Sequence, residues 1–282
     1  MKEALFYEKQ SDGSVICGLC PHVCRIAESG TGFCGVRVNT GGTLFAENYG
    51  RISSLNLDPI EKKPLAGFYP GSLILSAGSY GCNMKCEYCQ NYAISQHKPE
   101  TKEASPEELL YAAGNTSGNI GMAFTYNEPL VGIEYILDAA PLLKDAGLKV
   151  VLVTNGLINA GPLEVLLPYV DAMNIDVKAF NPEQYKKLGG DFSTVLKTVE
   201  KSAAACHVEV TSLIVPGQND NVDDILGLAE WLADISAEIP LHISRFFPRY
   251  KASGCEPTPV QTMKTLADAA RKTLKHVYLG NV

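Results

Sequence analysis

From residue 72 onward the chain repeats one rhythm, a short apolar run followed by a longer stretch with helix-start signals. Residues 72–77, 120–125, 148–154, 172–177, 209–215, 241–246 and 277–279 have the apolar, β-branched character of strands buried on both faces. Between them, Ser105-Pro106-Glu107-Glu108 offers an N-cap serine, a proline at the first helical position and acids in the first turn. Asn181-Pro182-Glu183 and Asn221-Val222-Asp223-Asp224 read the same way, and a last helix is expected between Glu256 and Lys275. Repeated β-α units imply a parallel sheet with right-handed crossovers. Six or seven such units fall short of the eight in a full barrel. The expectation is α/β, a partial (β/α)6 TIM-like barrel with a small N-terminal cysteine-rich module; an open α/β sheet also fits the count. Either way the active site belongs at the carboxyl ends of the strands.

The 282 residues suit one large domain and a small appendage. We read residues 1–70 as the cysteine-rich module with linking strands, and 71–282 as the barrel. Asp58-Pro59 and Lys63-Pro64 break helices in the first part. A net charge of -7 without a long basic run argues against nucleic acid as the main partner. Met1 to Gln10 carries charges at Lys2, Glu3, Glu8 and Lys9 with no apolar stretch behind them, which is not a signal peptide. No apolar run reaches membrane-spanning length, so no membrane partner is expected. The expected location is the cytoplasm, where thiols stay reduced and clustered cysteines point to metal or catalysis rather than disulfides.

Seven of the nine cysteines precede residue 90, in two groups. Cys82, Cys86 and Cys89 are spaced C-x3-C-x2-C with no fourth cysteine nearby. A [4Fe-4S] cluster normally takes four thiolates. Three leave one iron open, and an open metal position is where chemistry happens. Tyr88 can set an aromatic face beside that position. The loop directly follows the first expected parallel strand. The alternative is zinc, which prefers tetrahedral sets such as paired C-x2-C, or chance clustering.

Cys17, Cys20, Cys24 and Cys34 form a second group, spaced C-x2-C-x3-C-x9-C. Four thiolates close a coordination sphere, so this group suits a structural zinc or a fully ligated second iron-sulfur cluster. His22 is a substitute ligand, and free thiols in a small core are the alternative. Cys206 reads as a small buried residue opening a strand, and Cys255 as a loop residue near the barrel mouth.

Later strands should then end in polar groups facing the cysteine loop. The second ends Thr125-Tyr126-Asn127-Glu128-Pro129, the third Thr154-Asn155-Gly156, and the fourth carries Asp176-Val177-Lys178. The fifth runs into Gln218-Asn219, and the sixth has His242 and Arg245. Asp176 and Lys178, two apart on one strand, point to one side. An acid and a base inside a barrel are costly unless paired or bound to a ligand. Singly, each of these groups also reads as a solvated loop residue or structural ion-pair member, and His242 as a core histidine.

Gly81 to Asn91, Thr125 to Pro129, Thr154-Asn155-Gly156 and Asp176-Val177-Lys178 resemble the radical S-adenosylmethionine (SAM) enzymes related to pyruvate formate-lyase activating enzyme. Cys17-Gly18-Leu19-Cys20-Pro21-His22-Val23-Cys24, Gly32-Phe33-Cys34-Gly35-Val36-Arg37 and His242-Ile243-Ser244-Arg245-Phe246-Phe247-Pro248 resemble, more nearly, the AmmeMemoRadiSam system radical SAM proteins. The resemblance implies a [4Fe-4S] cluster on Cys82, Cys86 and Cys89, with SAM chelating the open iron. SAM's ammonium wants a carboxylate or carbonyl oxygen, its carboxylate a cation, its ribose short polar side chains. Glu128 suits the ammonium, with Thr125, Asn127, Thr154, Asn155, Asp176, Lys178 and Tyr88 as further SAM-binding candidates. The implied reaction is reductive cleavage of SAM to methionine and a 5′-deoxyadenosyl radical that abstracts hydrogen from an unknown protein or small-molecule substrate, possible targets including a glycyl radical enzyme. A reductant such as flavodoxin or ferredoxin is implied as partner. The reading from another class is an iron-sulfur electron-transfer protein without SAM cleavage.

Overall fold

The computed structural model describes residues 1–282. Its centre is an eight-stranded sheet. Strands are numbered here β1 (Ser54–Pro59), β2 (Leu73–Gly78), β3 (Asn119–Phe124), β4 (Lys149–Thr154), β5 (Ala172–Asp176), β6 (His207–Ile214), β7 (Leu241–Arg245) and β8 (Val277–Gly280). They pair in exactly sequential neighbours from β8 back to β1, and every pair except β1–β2 is parallel. The crossovers carry helices α1 (Pro106–Gly114), α2 (Ile133–Asp145), α3 (Ala160–Leu166), α4 (Phe192–Ala203), α5 (Val222–Ser236) and α6 (Val260–Ala270). Six strand-helix units closed by a seventh parallel strand make a partial barrel. The antiparallel β1 is an edge that the apolar rhythm does not announce, because Leu55 and Leu57 face outward and Asp58 inward.

The expected caps form. Ser105 accepts from the Glu108 N–H while Glu108 reaches back to the Ser105 N–H, a complete capping box. Asn181 and Asn221 cap their helices through side-chain oxygens. Two elements differ from the sequence reading by more than one residue. β6 begins at His207 rather than 209, because His207 and Val208 find partners in Ala172 and Met173. The last helix is the shorter Val260–Ala270, because Thr258 is held extended by bonds to the Phe246 and Ile214 carbonyls.

The first fifty residues form two small three-stranded antiparallel sheets: Lys2–Glu3 with Thr43–Ala46 and Arg37–Thr40, and Tyr7–Lys9 with Val15–Cys17 and Arg25–Ile26. They are bolted to α2 by a buried ion pair. Arg37 (1% exposed) donates to both Glu134 oxygens at 2.7 and 2.9 Å and to the Val131 carbonyl. The Leu5 N–H also donates to Glu134. Between β1 and β2 the chain crosses the amino-terminal end of the barrel. There the Ala66 and Gly67 N–H groups donate to the Glu209 carboxylate at 2.9 and 2.7 Å, and Asn174 donates to the Pro64 carbonyl. This crossing is the barrel floor. No helix is long and apolar enough to cross a membrane.

Candidate active site

Gly81 opens the loop after β2 with φ +91°, a backbone state that glycine adopts without strain. A Cβ there would strike the Val36 side chain at 2.5 Å and the Cys34 carbonyl at 2.9 Å. The missing side chain therefore lets the N-terminal module lie against the loop, and the Cys82 N–H donates to the Cys34 carbonyl at 3.2 Å. Beyond it, Cys82, Cys86 and Cys89 all line one cavity of about 330 Å³. Cys82 Sγ accepts from the Met84 N–H at 3.4 Å, and Cys89 Sγ lies 3.1 Å from Ser95 Oγ. Burial pushes the Cys82 thiol up, reinforced by the Glu128 charge. Burial also raises Cys86 to about 11, against the pull of Lys178. Tyr88 lines the same cavity, edge-on to Phe246.

Strand ends β3, β4 and β5 supply the rest of the wall. Thr125, Asn127, Glu128, Thr154, Asn155, Asp176 and Lys178 all line this cavity, as their positions in the sequence suggest. Glu128 is wholly buried. It accepts from the Thr154 hydroxyl at 2.6 Å, the Asn155 N–H at 2.7 Å and the Leu130 N–H at 3.0 Å. Burial lifts its carboxyl to about 7, a rise those three bonds oppose. Asn155 Nδ2 donates to Asn83 and lies 3.7 Å from Cys82 Sγ, tying β4 to the cysteine loop. Lys178 Nζ donates to Asp176 at 2.7 Å, so the two form an ion pair at the cavity wall.

Four residues expected to face the cysteine loop do not line the cavity. His242 Nε2 sits 2.6 Å from a Glu209 oxygen and its ring stacks on Tyr278. Arg245 donates to the Thr258 carbonyl at 2.7 Å. Asn219 folds back to bond Val215, Lys178 and Leu213, stapling its own loop, and Gln218 lies in that same turn. The alternation of β7 puts His242 toward the floor, where a buried carboxylate needed a partner. Cys255 is exposed and outside the cavity, and Cys206 sits half-buried just before β6. The sequence reading missed Lys62, Lys63 and Tyr126, which line the cavity's other end. The available signal was a pair of lysines in a segment otherwise read only as a helix breaker.

Cys17, Cys20, Cys24 and Cys34 come together around a small void of about 10 Å³, with Arg37 and Phe33 beside them. Burial raises Cys20 to about 12. His22 also lines this void, with its Nε2 2.8 Å from the Asn83 carbonyl and its ring against Phe33. In neither cysteine group do three side chains close on one point as around a lone ion.

Fold and site together define a partial-barrel protein whose cofactor cavity opens at the carboxyl ends of its strands. Residues 77–232 match the Radical SAM superfamily, and the chain belongs to that superfamily. An uncharacterized protein of Methanocaldococcus jannaschii is 43% identical over 289 aligned positions, covering 100% of this chain and 86% of that protein. The pyruvate formate-lyase-activating enzyme of Clostridium pasteurianum is 29% identical over 171 positions, covering 55% of this chain and 67% of that enzyme. Among solved structures, a radical SAM methyltransferase from Sphaerobacter thermophilus shares the fold with a TM-score of 0.58 at 13% identity, covering 75% of this chain and 67% of the other.

Membership implies SAM cleavage with a [4Fe-4S] cluster. The donor set fits that group. Three thiols without a fourth, Cys86 buried and Cys82 and Cys89 half-buried, line a cavity far larger than one ion, and a four-iron cube spreads its thiolates wider than a single ion does. The positive charge of a cluster's irons would deprotonate Cys82 and Cys86, whose thiols burial pushes up.

Proposed function

We propose that this chain is a radical SAM enzyme of the AmmeMemoRadiSam system type, acting on a substrate that enters the barrel beneath the cysteine loop. The observation that carries the reading is one cavity shared by three unaccompanied thiols, a buried carboxylate and a lysine. Cys82, Cys86 and Cys89 hold the cluster. When bound, the cluster supplies one electron to SAM, whose cleavage yields methionine and a hydrogen-abstracting 5′-deoxyadenosyl group. Glu128 receives the SAM ammonium, and that cation stabilises the charged form of a carboxyl which burial has raised to about 7. Lys178, held by Asp176, offers its charge to the SAM carboxylate. Thr125, Asn127, Thr154 and Asn155 provide short polar contacts, and Tyr88 excludes water beside the cysteines. Val153 precedes Thr154-Asn155-Gly156 where glycyl radical activases usually carry Asp, which favours the nearer type over an activase.

The four N-terminal cysteines complete the proposal as a structural metal site. Four thiols around one void suit either a structural zinc or a fully ligated second cluster.

The test is anaerobic: reconstitute with iron and sulfide, reduce, add SAM, and assay 5′-deoxyadenosine and methionine alongside metal content. Both products are expected from the native chain, and none from Cys86→Ala at unchanged circular dichroism. A cluster that forms and reduces, binds no SAM and cleaves none would instead make the chain an electron carrier.

A further inference from the structure

The cavity does not end with the SAM candidates. Its far end is built by the floor crossing and by Tyr126, groups to which the proposed cluster and SAM sites assign no part. Lys63 is 2% exposed yet lines the cavity. Its Nζ donates to Asp58 Oδ2 at 2.8 Å and lies 4.7 Å from the centre of the Tyr126 ring. A lysine ammonium carries three donors, and this one uses one of them on a protein acceptor. Asp58 has two further donors. It also accepts from Tyr126 Oη at 2.6 Å and from Lys62 Nζ at 3.3 Å. Burial would raise the Asp58 carboxyl, but the bonds from Lys63 and Tyr126 outweigh it and hold it at about 2, so it stays ionised.

Lys63 pairs with Asp58 inside the cavity, and Lys62, its side chain 68% exposed, adds a second positive charge beside the same carboxylate. The backbone is strained to build this arrangement. Tyr126 has φ +72°, a left-handed state disfavoured for an aromatic residue. That turn lays its ring over Gly78, where a Cβ would meet the ring at 2.8 Å. Strain of this kind collects where a ligand is clamped. The approach is open as well, since β1 and β8 are both unpaired edges of the sheet, and Asn281 beyond β8 lines the same cavity.

Resting on the SAM assignment above, we propose that Lys63, with Lys62 and the Tyr126–Asp58 pair behind it, is the substrate subsite and binds an oxyanionic group, a carboxylate or a phosphate. The substrate is thereby anchored at the floor with its reacting carbon toward the cysteine loop.

The cluster-loaded protein with SAM bound is titrated with acetate, inorganic phosphate and uncharged acetamide at constant ionic strength, followed by NMR line broadening of each probe. SAM binding by the native chain is measured in the same samples. Acetate or phosphate should bind and acetamide should not, and the tighter anion names the substrate's group. Lys63→Met should weaken the anion at least tenfold, and Lys63→Arg should restore it. If Lys63→Met does not fold, the exposed Lys62→Gln should still weaken the anion two- to threefold. Acetamide binding as well as acetate, or variants binding like the native chain, would overturn the subsite. A native chain that binds SAM but neither anion would overturn it while leaving the SAM site standing. Anion binding without SAM binding would do the reverse.

Discussion

Two buried glutamates show how one residue type is set to different tasks by its neighbours. Glu128 is lifted to about 7 by burial, despite three donors. Glu128→Gln would turn an amide N–H₂ against N–H and O–H donors, so it should cost about 1–3 kcal/mol of stability and weaken SAM binding, readable by denaturant melts and SAM titration. Glu209 is also buried, but bonds from His207, His242 and the floor N–H groups hold it at about 2, below the ordinary 4.5. A depressed carboxylate contributes stability in full above its unfolded pKa and loses it as pH falls through the folded one. Glu209→Gln should therefore be less stable than the native chain at pH 6, with the gap narrowing between pH 4.5 and 2 in melts across that range. Residue identity alone does not separate these cases. Glu128 was legible because it sits in Thr125-Tyr126-Asn127-Glu128-Pro129 at a strand end. Glu209 looked like a strand's first residue, and its partners come from residues 66, 67 and 242, which no local pattern connects.

At the scale of elements, the seven parallel strands were legible because burial on both faces demands unbroken apolar runs, and their helices because caps are local chemistry. β1 was not, since an edge strand with Leu55 and Leu57 outward carries no such run. Nor was the docking of the N-terminal sheets onto α2, which rests on Arg37 and Glu134, 97 residues apart. Their pair is buried on both sides. Removing one partner strands the other charge, so Glu134→Ala should cost about 3–5 kcal/mol and expose the N-terminal module to limited proteolysis before the barrel. Equal cleavage of native and variant chains would assign the module's docking to its other contacts.

In the whole molecule, the cysteine groups sit on separate elements yet meet. The Cys34 carbonyl receives the Cys82 N–H, and the Asn83 carbonyl lies 2.8 Å from His22. Replacing Cys17 and Cys20 with Ala should lower total metal while iron at Cys82, Cys86 and Cys89 persists, measured by elemental analysis of the reconstituted protein. An unchanged total would remove the N-terminal metal site. Because one backbone bond belongs to both loops, a metal held by the N-terminal cysteines would be coupled through it to a cluster on Cys82, Cys86 and Cys89. Such coupling is reciprocal by thermodynamic necessity. If the N-terminal site tightens the cluster's hold by some factor, the cluster tightens the N-terminal ion by the same factor. A cell short of the one metal would then see the enzyme's activity fall even with iron in excess, so the activity of this enzyme would report on two metal supplies at once.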